Sequence, residues 1–128
     1  MNVRNTVHRT VPQALPWGDD VVRLAVEVLR VLADPTRLRL AGLLLDREWA
    51  VSDLAAAVEK PGPAVSQHLA KMRMARLVTT RRQGTSVLYR VENDHVRQLV
   101  MDTIGHVEHL LEDVPAHHRP VAVRGAVS

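Results

Sequence analysis

The sequence predicts a mostly α-helical fold that contains one β-hairpin, and three observations support this. Apolar residues make up 46% of the 128 positions, but aromatic residues only 2%, and Phe is absent. Leu, Val and Ala must therefore fill the core, which suits packed helices. Apolar positions recur with helical spacing along most of the chain. The period changes to that of a strand only between Leu77 and Glu92, on either side of Gly84-Thr85.

The N-terminal half predicts an arm and two helices. Residues 1–18 contain two prolines and are expected to form a flexible arm. Asp19 or Asp20 is expected to cap the first helix, whose apolar positions follow helical spacing: Val21, Leu24, Ala25, Val28 and Leu32. Asp34-Pro35 is typical of an N-cap followed by the first residue of a second helix, over about 35–46. Its inward-facing residues are expected to be Leu38, Ala41, Leu44 and Leu45.

The middle of the chain predicts two further helices and the hairpin. Ser52 is expected to cap a short third helix that ends near Glu59, and Pro61-Gly62-Pro63 predicts a tight turn. A fourth helix over about 63–75 would bury Val65, Leu69 and Met72. Two strand-like runs, 77–83 and 86–92, predict a β-hairpin.

A long final helix is expected from about Asn93 to Asp113, followed by a flexible, histidine-containing tail over 114–128. The length suits a single folded domain, here residues 19–113, between the arm and the tail. The thin aliphatic core suggests that a second copy completes it, through the first and last helices.

Positive charge is concentrated in one segment. The net charge is only +3, yet the 32 residues from Lys60 to Val91 include seven Lys or Arg and no Asp or Glu. Such a segment favours approach to a polyanion. It coincides with the fourth helix and the hairpin, and helix, turn, helix, basic hairpin is the order of a winged helix-turn-helix. The expected partner is therefore double-stranded DNA; a merely solvated basic surface is the alternative.

The candidate DNA contacts lie on the fourth helix and the hairpin. Gln67 offers a paired donor and acceptor to an adenine edge. Ser66 and His68 flank it, although a histidine there is as often a packing or hydrogen-bonding residue as a DNA contact. The remaining candidates are one outward-facing lysine and three hairpin residues that would reach phosphate or the minor groove: Lys71, Arg81, Arg82 and Thr85.

The C-terminal region carries most of the histidines. Five of the seven lie in the last 34 residues: His95, His106, His109, His117 and His118. On a helix the first three fall in one column with Asp102, beside an apolar stripe of Val96, Val100, Ile104, Val107 and Leu111. His95 and His106 would be about 16 Å apart along the axis, whereas two ligands of one metal lie within about 4 Å. Two antiparallel helices of a dimer would close such a site. The alternative is that these are surface residues of a dimerisation helix.

The ligand types indicate the metal. Imidazole with carboxylate suits Zn, Ni or Co. Four ligands favour zinc, whereas recruiting His117 and His118 raises the ligand number towards the six that nickel and cobalt prefer. The expected effector is therefore Ni(II) or Co(II), with Zn(II) as the alternative.

Four segments of the sequence resemble those of the ArsR/SmtB family of metal-sensing winged-helix repressors: LRVLADPTRLRLAGLL (29–44), VSDLA (51–55), AVSQHLAKMRMARLV (64–78) and RRQGTSVLYRVENDHVRQLV (81–100). The resemblance covers about residues 20–110. It implies a dimer that binds palindromic operators and releases them when metal binds.

The resemblance also implies where metal binds. One branch of the family uses cysteines near the helix that here contains residues 49–54, and this chain has no cysteine. The other branch uses an Asp-x-His…His-x-x-His/Glu pattern between paired C-terminal helices, which here becomes Asn93-x-His95, then His106 and His109. Asn93 departs from the pattern, and neighbouring Asp94 is the candidate substitute.

The tail histidines and the Glu108-His109 pair are similar to the nickel/cobalt-sensing subgroup. This similarity adds Glu108, His117 and His118 to the candidate ligands. In a straight helix, however, Glu108 lies roughly 140° from the histidine column.

Other classes of protein are disfavoured. Without cysteine there is no disulfide, thiolate metal site or catalytic thiol. No apolar run approaches a membrane span of about 18 residues, and residues 1–18 lack the apolar core of a secretory signal, so a cytoplasmic location is expected. There is no HExxH motif and no nucleophile-elbow serine, so an enzyme is not expected. A regulator of the same fold that does not respond to metal remains an alternative; a metal-storage module is disfavoured by the basic segment.

Overall fold

The computed structural model describes residues 16–113, so the greater part of the predicted arm and the whole predicted tail lie outside the described residues. The elements are, in chain order, α1 (Asp19–Leu32), α2 (Pro35–Leu43), β1 (Trp49–Ala50), α3 (Val51–Val58), α4 (Gly62–Met74), β2 (Val78–Gln83), β3 (Ser86–Val91) and α5 (Asp94–Glu112). The predicted mostly α-helical fold with a β-hairpin is confirmed. None of the described helices is both long enough and apolar enough to cross a membrane.

Side-chain caps mark the start of α2, as the sequence predicts, and of α5, where the sequence did not predict one. The carboxylate of Asp34 accepts a hydrogen bond of 2.9 Å from the backbone N–H of Arg37, and Pro35 is the first residue of α2. The side chain of Asn93 accepts one of 3.1 Å from the backbone N–H of Val96 at the start of α5. Each satisfies an N–H group that has no partner within its helix, which typically stabilises by about 0.5–2 kcal/mol.

Three predicted details are wrong. Neither Asp19 nor Asp20 caps α1: Gly18 is at the N-cap position with no side-chain cap, and Asp19 is already the first residue of the helix. Ser52 does not cap α3: the helix begins one residue earlier, with Ala50 at the N-cap position and no side-chain cap. Strand pairing of Ala50 with Leu88 holds the backbone there instead.

The segment Pro61-Gly62-Pro63 is likewise not a separate turn, because Gly62 and Pro63 form the first turn of α4. Proline is tolerated there since its missing N–H has no helical partner. The chain reverses earlier, at Glu59, which has the left-handed φ of 57°. The N–H of Lys60 then donates to the carbonyl of Ala55 at 3.1 Å and closes the end of α3.

The sheet has three antiparallel strands in the order β1-β3-β2. The hairpin register runs from Val78 opposite Val91 to Gln83 opposite Ser86, which leaves the two-residue turn Gly84-Thr85. Gly84 has a φ of 62°, which glycine adopts without the steric penalty of a side chain. The sequence did not predict β1, because two residues are too few to show a period.

The core is built from helices α2 to α5, the last turn of α1 and the base of the hairpin. The three residues predicted to be buried on α4, Val65, Leu69 and Met72, are all completely buried. They pack with further buried apolar residues, including Leu40, Leu44, Leu54, Leu77, Val78, Val91 and Val100. The buried face of α4 fixes which of its faces is turned outward.

The apolar surface of the first and last helices is largely uncovered in a single chain. Val21, Leu24 and Ala25 of the predicted inward stripe of α1 are exposed, and Leu32 is buried. On α5 the predicted stripe is divided: Val96 and Val100 belong to the core of their own chain, whereas Ile104 and Val107 are exposed. The exposed large apolar residues of the two helices are Val21, Val22, Leu24, Val26, Leu29, Met101, Ile104, Val107 and Leu110.

Candidate DNA-binding surface and histidine helix

The outer face of α4 has the composition expected of a DNA-reading helix. Burial of Val65, Leu69 and Met72 turns the polar side of the helix to solvent. Ser66, Gln67 and Lys71 are all exposed. Among residues 16–113 no side chain bonds Gln67, so its amide donor and its carbonyl acceptor can both meet a base edge.

His68 differs from its exposed neighbours because it already has partners within the chain. Its side chain is 28% exposed, and its Nδ1 lies 3.9 Å from Oδ2 of Asp34. The same Nδ1 lies 3.1 Å from Nη1 of Arg37, at hydrogen-bonding distance. The sequence offered His68 as a possible DNA contact and did not single out Arg37, because no local pattern links two residues 31 positions apart.

The hairpin, or wing (residues 78–91), has a charged contact across the sheet that the sequence did not predict. Nε of Arg81 lies 2.8 Å from each carboxylate oxygen of Glu48, and its Nη2 lies 2.7 Å from Oε1. Arg90 adds a longer ion pair, 4.0 Å from the same carboxylate. The hydrogen bond from Arg81 holds the pKa of Glu48 below its usual value, and the same bond raises the pKa of Arg81.

The two wing arginines lie on opposite faces of the sheet. Arg81 is paired with Leu88 and Arg82 with Val87, and successive side chains of a strand point to opposite faces. Arg82 and Thr85 are exposed. Within residues 16–113 the guanidinium of Arg82 has no carboxylate partner. Of the two predicted phosphate-binding arginines, therefore, Arg81 has an ion pair and Arg82 has none among the residues that the structure describes.

Helix α5 is continuous from residue 94 to 112, so His95, His106 and His109 stand on one uninterrupted helix. All three are exposed, as is Glu108. Nδ1 of His109 lies 3.7 Å from Oε1 of Glu112. Asp102, in the same column, accepts a hydrogen bond of 2.7 Å from Gln98.

Asp94 is the candidate metal ligand in place of the aspartate that the family pattern has at position 93, and it lies at the start of α5. Asn93 is occupied as the N-cap, and Asp94 pairs with Arg97 at 2.7 Å. That ion pair is exposed at its carboxylate end and is therefore weak.

The described part of one chain holds no cluster of three or more His, Asp or Glu side chains positioned for a metal ion. The helical rise of 1.5 Å per residue accounts for this, because it separates His95 from His106 by about 16 Å. The donor set of imidazole and carboxylate fits a divalent transition metal, but only with ligands from a second chain. His117 and His118 lie outside the described residues.

Comparison with known proteins identifies the family. The model for "Bacterial regulatory protein, arsR family" matches residues 34–80, which run from the N-cap of α2 into β2. The chain is 58% identical over 104 residues to the HTH-type transcriptional regulator KmtR of Mycobacterium tuberculosis, covering 81% of this chain and 80% of that one. It is 35% identical over 102 residues to the regulator NmtR of the same organism, covering 80% and 84%.

Solved structures share the fold. A homodimeric winged helix-turn-helix DNA-binding domain from Mycobacterium bovis, a possible ArsR-family regulator, superposes with a TM-score of 0.68 at 28% identity, covering 81% of this chain and 98% of that one. HlyU from Vibrio cholerae has a TM-score of 0.64 at 31% identity, covering 67% and 94%. These relatives are regulators and not enzymes, as the sequence predicted, and DNA binding and homodimers are typical of them. The chain belongs to the ArsR/SmtB family of winged helix-turn-helix transcriptional regulators.

Proposed function

We propose that this regulator is a metal-responsive repressor. As a homodimer it binds operator DNA through α4 and the wing, and it releases the DNA when Ni(II) or Co(II) binds between the C-terminal helices of the two subunits. The observation that carries the proposal is the coexistence on α5 of three exposed histidines in one column with apolar residues that the chain itself leaves uncovered.

The DNA-binding part is supported by the exposed polar side of α4. Gln67 would read a base edge, with Ser66 and Lys71 beside it. Arg82 and Thr85 on the wing would contact the phosphate backbone. Arg81 joins them only if phosphate displaces Glu48, and the imidazole of His68 already contacts Arg37.

The dimer is supported by the uncovered apolar residues of α1 and α5. In a single chain Leu24 is 62% exposed and Leu29 is 55% exposed, and both belong to the group of exposed apolar residues on these two helices. Large contiguous apolar patches on a soluble domain usually mark an interface. A twofold axis that pairs each α5 with its copy in antiparallel orientation would cover these residues and bring the histidines of both chains together.

The metal part is supported by the donor chemistry. His95 of one chain with His106 and His109 of the other would hold the ion. Glu108, His117 and His118 would complete the larger ligand number that nickel and cobalt prefer. Bound metal supplies a link between two subunits, and the residues that hold it fix how the two α5 helices cross.

Release follows from the geometry of DNA. Half-sites are about 34 Å apart, or a multiple of this, so a small rotation between subunits misaligns one of the two α4 helices. Binding of metal and binding of DNA then weaken each other, and one coupling free energy, typically about 1–3 kcal/mol, describes both effects. DNA must therefore weaken metal binding by the same factor by which metal weakens DNA binding.

The test begins with metal-free protein, which is used to select an operator from random DNA duplexes. Affinity for that operator is then followed by fluorescence anisotropy during titration with Ni(II), Co(II) or Zn(II). The proposal expects nickel and cobalt to lower the affinity at least fivefold. Release by zinc alone would favour the alternative, a zinc-responsive repressor that uses four ligands. Tight operator binding that no metal weakens would indicate a regulator of this fold that does not sense metal.

A further inference from the structure

We propose that His68 is a positioning residue, which acts on DNA binding through Arg37 by fixing the orientation of α4 relative to α1. The inference rests on the proposed function in one respect, namely that α4 is the helix that reads DNA. It differs from a direct DNA contact because the partner of His68 is a side chain of the same protein.

Arg37 joins three helices through three different nitrogen atoms. Its backbone N–H donates to the carboxylate of Asp34, the N-cap of α2, at 2.9 Å. Its Nε donates to the backbone carbonyl of Val31, in the last turn of α1. Its Nη1 meets Nδ1 of His68, on α4, at 3.1 Å. One side chain on α2 therefore links the end of the first helix to the DNA-reading helix.

The chemistry of the contact fixes the state of the imidazole. A guanidinium has donors and no acceptor. Nδ1 of His68 must therefore accept the hydrogen bond, and the proton of the neutral ring must be on Nε2. An imidazolium would present a second donor to Arg37, so the contact requires the neutral ring with this tautomer.

Helix α4 needs a directional contact at this place because α1 packs against it less extensively than α3 does. An open cleft of about 540 Å³ lies between parts of the two helices, and its lining includes Val31, Arg37, Lys71 and Met74. The buried contacts of α4 are aliphatic, through Val65, Leu69 and Met72. Such contacts are non-directional and tolerate small rotations of the helix about its axis. A hydrogen bond weakens steeply with angle, so the Arg37–His68 contact restricts that rotation.

The consequence concerns Gln67, the residue next to His68. A rotation of α4 would displace its amide from the base edge, whereas non-specific attraction to phosphate tolerates such a displacement. Loss of the Arg37–His68 contact should therefore lower affinity for the operator and leave affinity for unrelated DNA nearly unchanged. A direct contact of His68 with phosphate would lower both.

The test is a double-mutant cycle of His68→Ala and Arg37→Ala, measured with the selected operator and with a scrambled duplex at the same salt concentration. We expect each single variant to weaken operator binding by roughly tenfold. The double variant should be no weaker than Arg37→Ala alone, since His68→Ala removes only the contact that Arg37→Ala has already removed. Arg39→Ala is the matched control: it removes an exposed arginine from the same helix, and it corrects for the lost positive charge.

Two replacements of His68 test the geometry while preserving a polar side chain. His68→Asn places a carbonyl oxygen near the position of Nδ1 and should keep operator affinity within about threefold of the wild type. His68→Gln carries its oxygen one bond further and should behave like His68→Ala. Thermal unfolding of all variants identifies any that fail to fold. If an alanine variant fails, the comparison of His68→Asn with His68→Gln still tests the proposal. Additive effects of His68→Ala and Arg37→Ala, or equal losses on both duplexes, would overturn the proposal.

A measurement without DNA separates this inference from the proposed function. In ¹⁵N-labelled protein at alkaline pH, the imidazole nitrogen shifts of His68 should report the tautomer with the proton on Nε2. Arg37→Ala should produce a mixture of tautomers. An identical tautomer distribution in both proteins would overturn the Arg37–His68 contact even if operator binding is normal. Failure of the wild type to select any DNA would instead overturn the proposed function alone.

Discussion

The guanidinium of Arg81 is bound to the carboxylate of Glu48, with Nε 2.8 Å from both oxygens. Arg81 is on β2, and Glu48 immediately precedes β1, so the pair joins opposite edges of the three-stranded sheet. Arg82, its neighbour in sequence, lies on the other face of the strand. Adjacent arginines of one wing thus have different surroundings, and we expect them to differ in function.

Arg82→Ala should weaken binding to every DNA sequence by a similar factor. Loss of one phosphate contact should also reduce the slope of log affinity against log salt by about 0.9. Arg81→Ala should change the slope less, because its charge is already paired with Glu48. Affinities measured at several salt concentrations test this, with Arg23→Ala on α1 as a control for net charge. Equal changes in slope for Arg81→Ala and Arg82→Ala would show that DNA displaces Glu48.

Gln67→Ala should relax sequence preference at one base pair of each half-site. A bidentate contact with a base typically contributes about 1–3 kcal/mol of discrimination. Competition between the operator and duplexes changed at single positions would locate that base pair. Gln98→Ala, on α5, is the matched control and should preserve the preference at every position. An unchanged preference in Gln67→Ala would mean that another residue of α4 reads the DNA.

Asp34 should make stability depend on pH. The hydrogen bond from the backbone of Arg37 is the main cause that lowers the pKa of Asp34 below its ordinary value of 3.8. A carboxyl whose pKa is lower in the folded state stabilises that state above the ordinary pKa, and the contribution disappears as the pH falls through the folded value. Loss of stability is therefore expected below about pH 4.

Asp34→Asn separates this charge effect from capping. Asparagine is also a good N-cap, so the free energy of unfolding of Asp34→Asn should fall less steeply as the pH decreases. The free energy of unfolding of Asp34→Ala should be lower than that of the wild type by about 0.5–2 kcal/mol at pH 7. Urea unfolding between pH 2.5 and 7 measures both, with Asp46→Asn as a matched exposed control. Parallel pH curves for the wild type and Asp34→Asn would contradict the assignment.

The metal-free protein should be a dimer at micromolar concentration, because each chain leaves the apolar residues of α1 and α5 uncovered. Leu24→Asp and Val107→Asp should dissociate it without unfolding the chain, since both side chains are exposed in a single copy. Sedimentation velocity and circular dichroism measure the two effects. Met74→Asp introduces the same charge at an exposed apolar position on α4 and should remain dimeric. A monomeric wild type would contradict both the interface and the shared metal site.

His95→Ala and His109→Ala should leave the DNA affinity of metal-free protein unchanged and abolish release by nickel or cobalt. Simultaneous His117→Ala and His118→Ala should spare zinc binding and reduce the nickel and cobalt response, if the tail supplies further ligands. Isothermal titration with each metal, together with operator anisotropy, measures both quantities. His8→Ala is the matched histidine control. Release by His95→Ala at the wild-type metal concentration would contradict the proposed site.

The sequence by itself determined those features that depend on residues close together in the chain. Asp34 caps α2 as predicted, because a cap bonds a backbone group only three residues ahead. The buried face of α4 follows from the spacing of Val65, Leu69 and Met72. The hairpin follows from alternation about Gly84-Thr85, and the family resemblance from these same segments.

The tertiary structure decided which side chains meet across the fold. Arg81 and Glu48 are 33 positions apart, and Arg37 and His68 are 31 apart, so no local pattern records either contact. The apolar stripe of α5 was visible in the sequence, but periodicity cannot distinguish residues that face their own core from those left for a partner. Packing assigned Val100 to the core and left Val107 exposed, since α5 extends beyond the elements that cover its first turns.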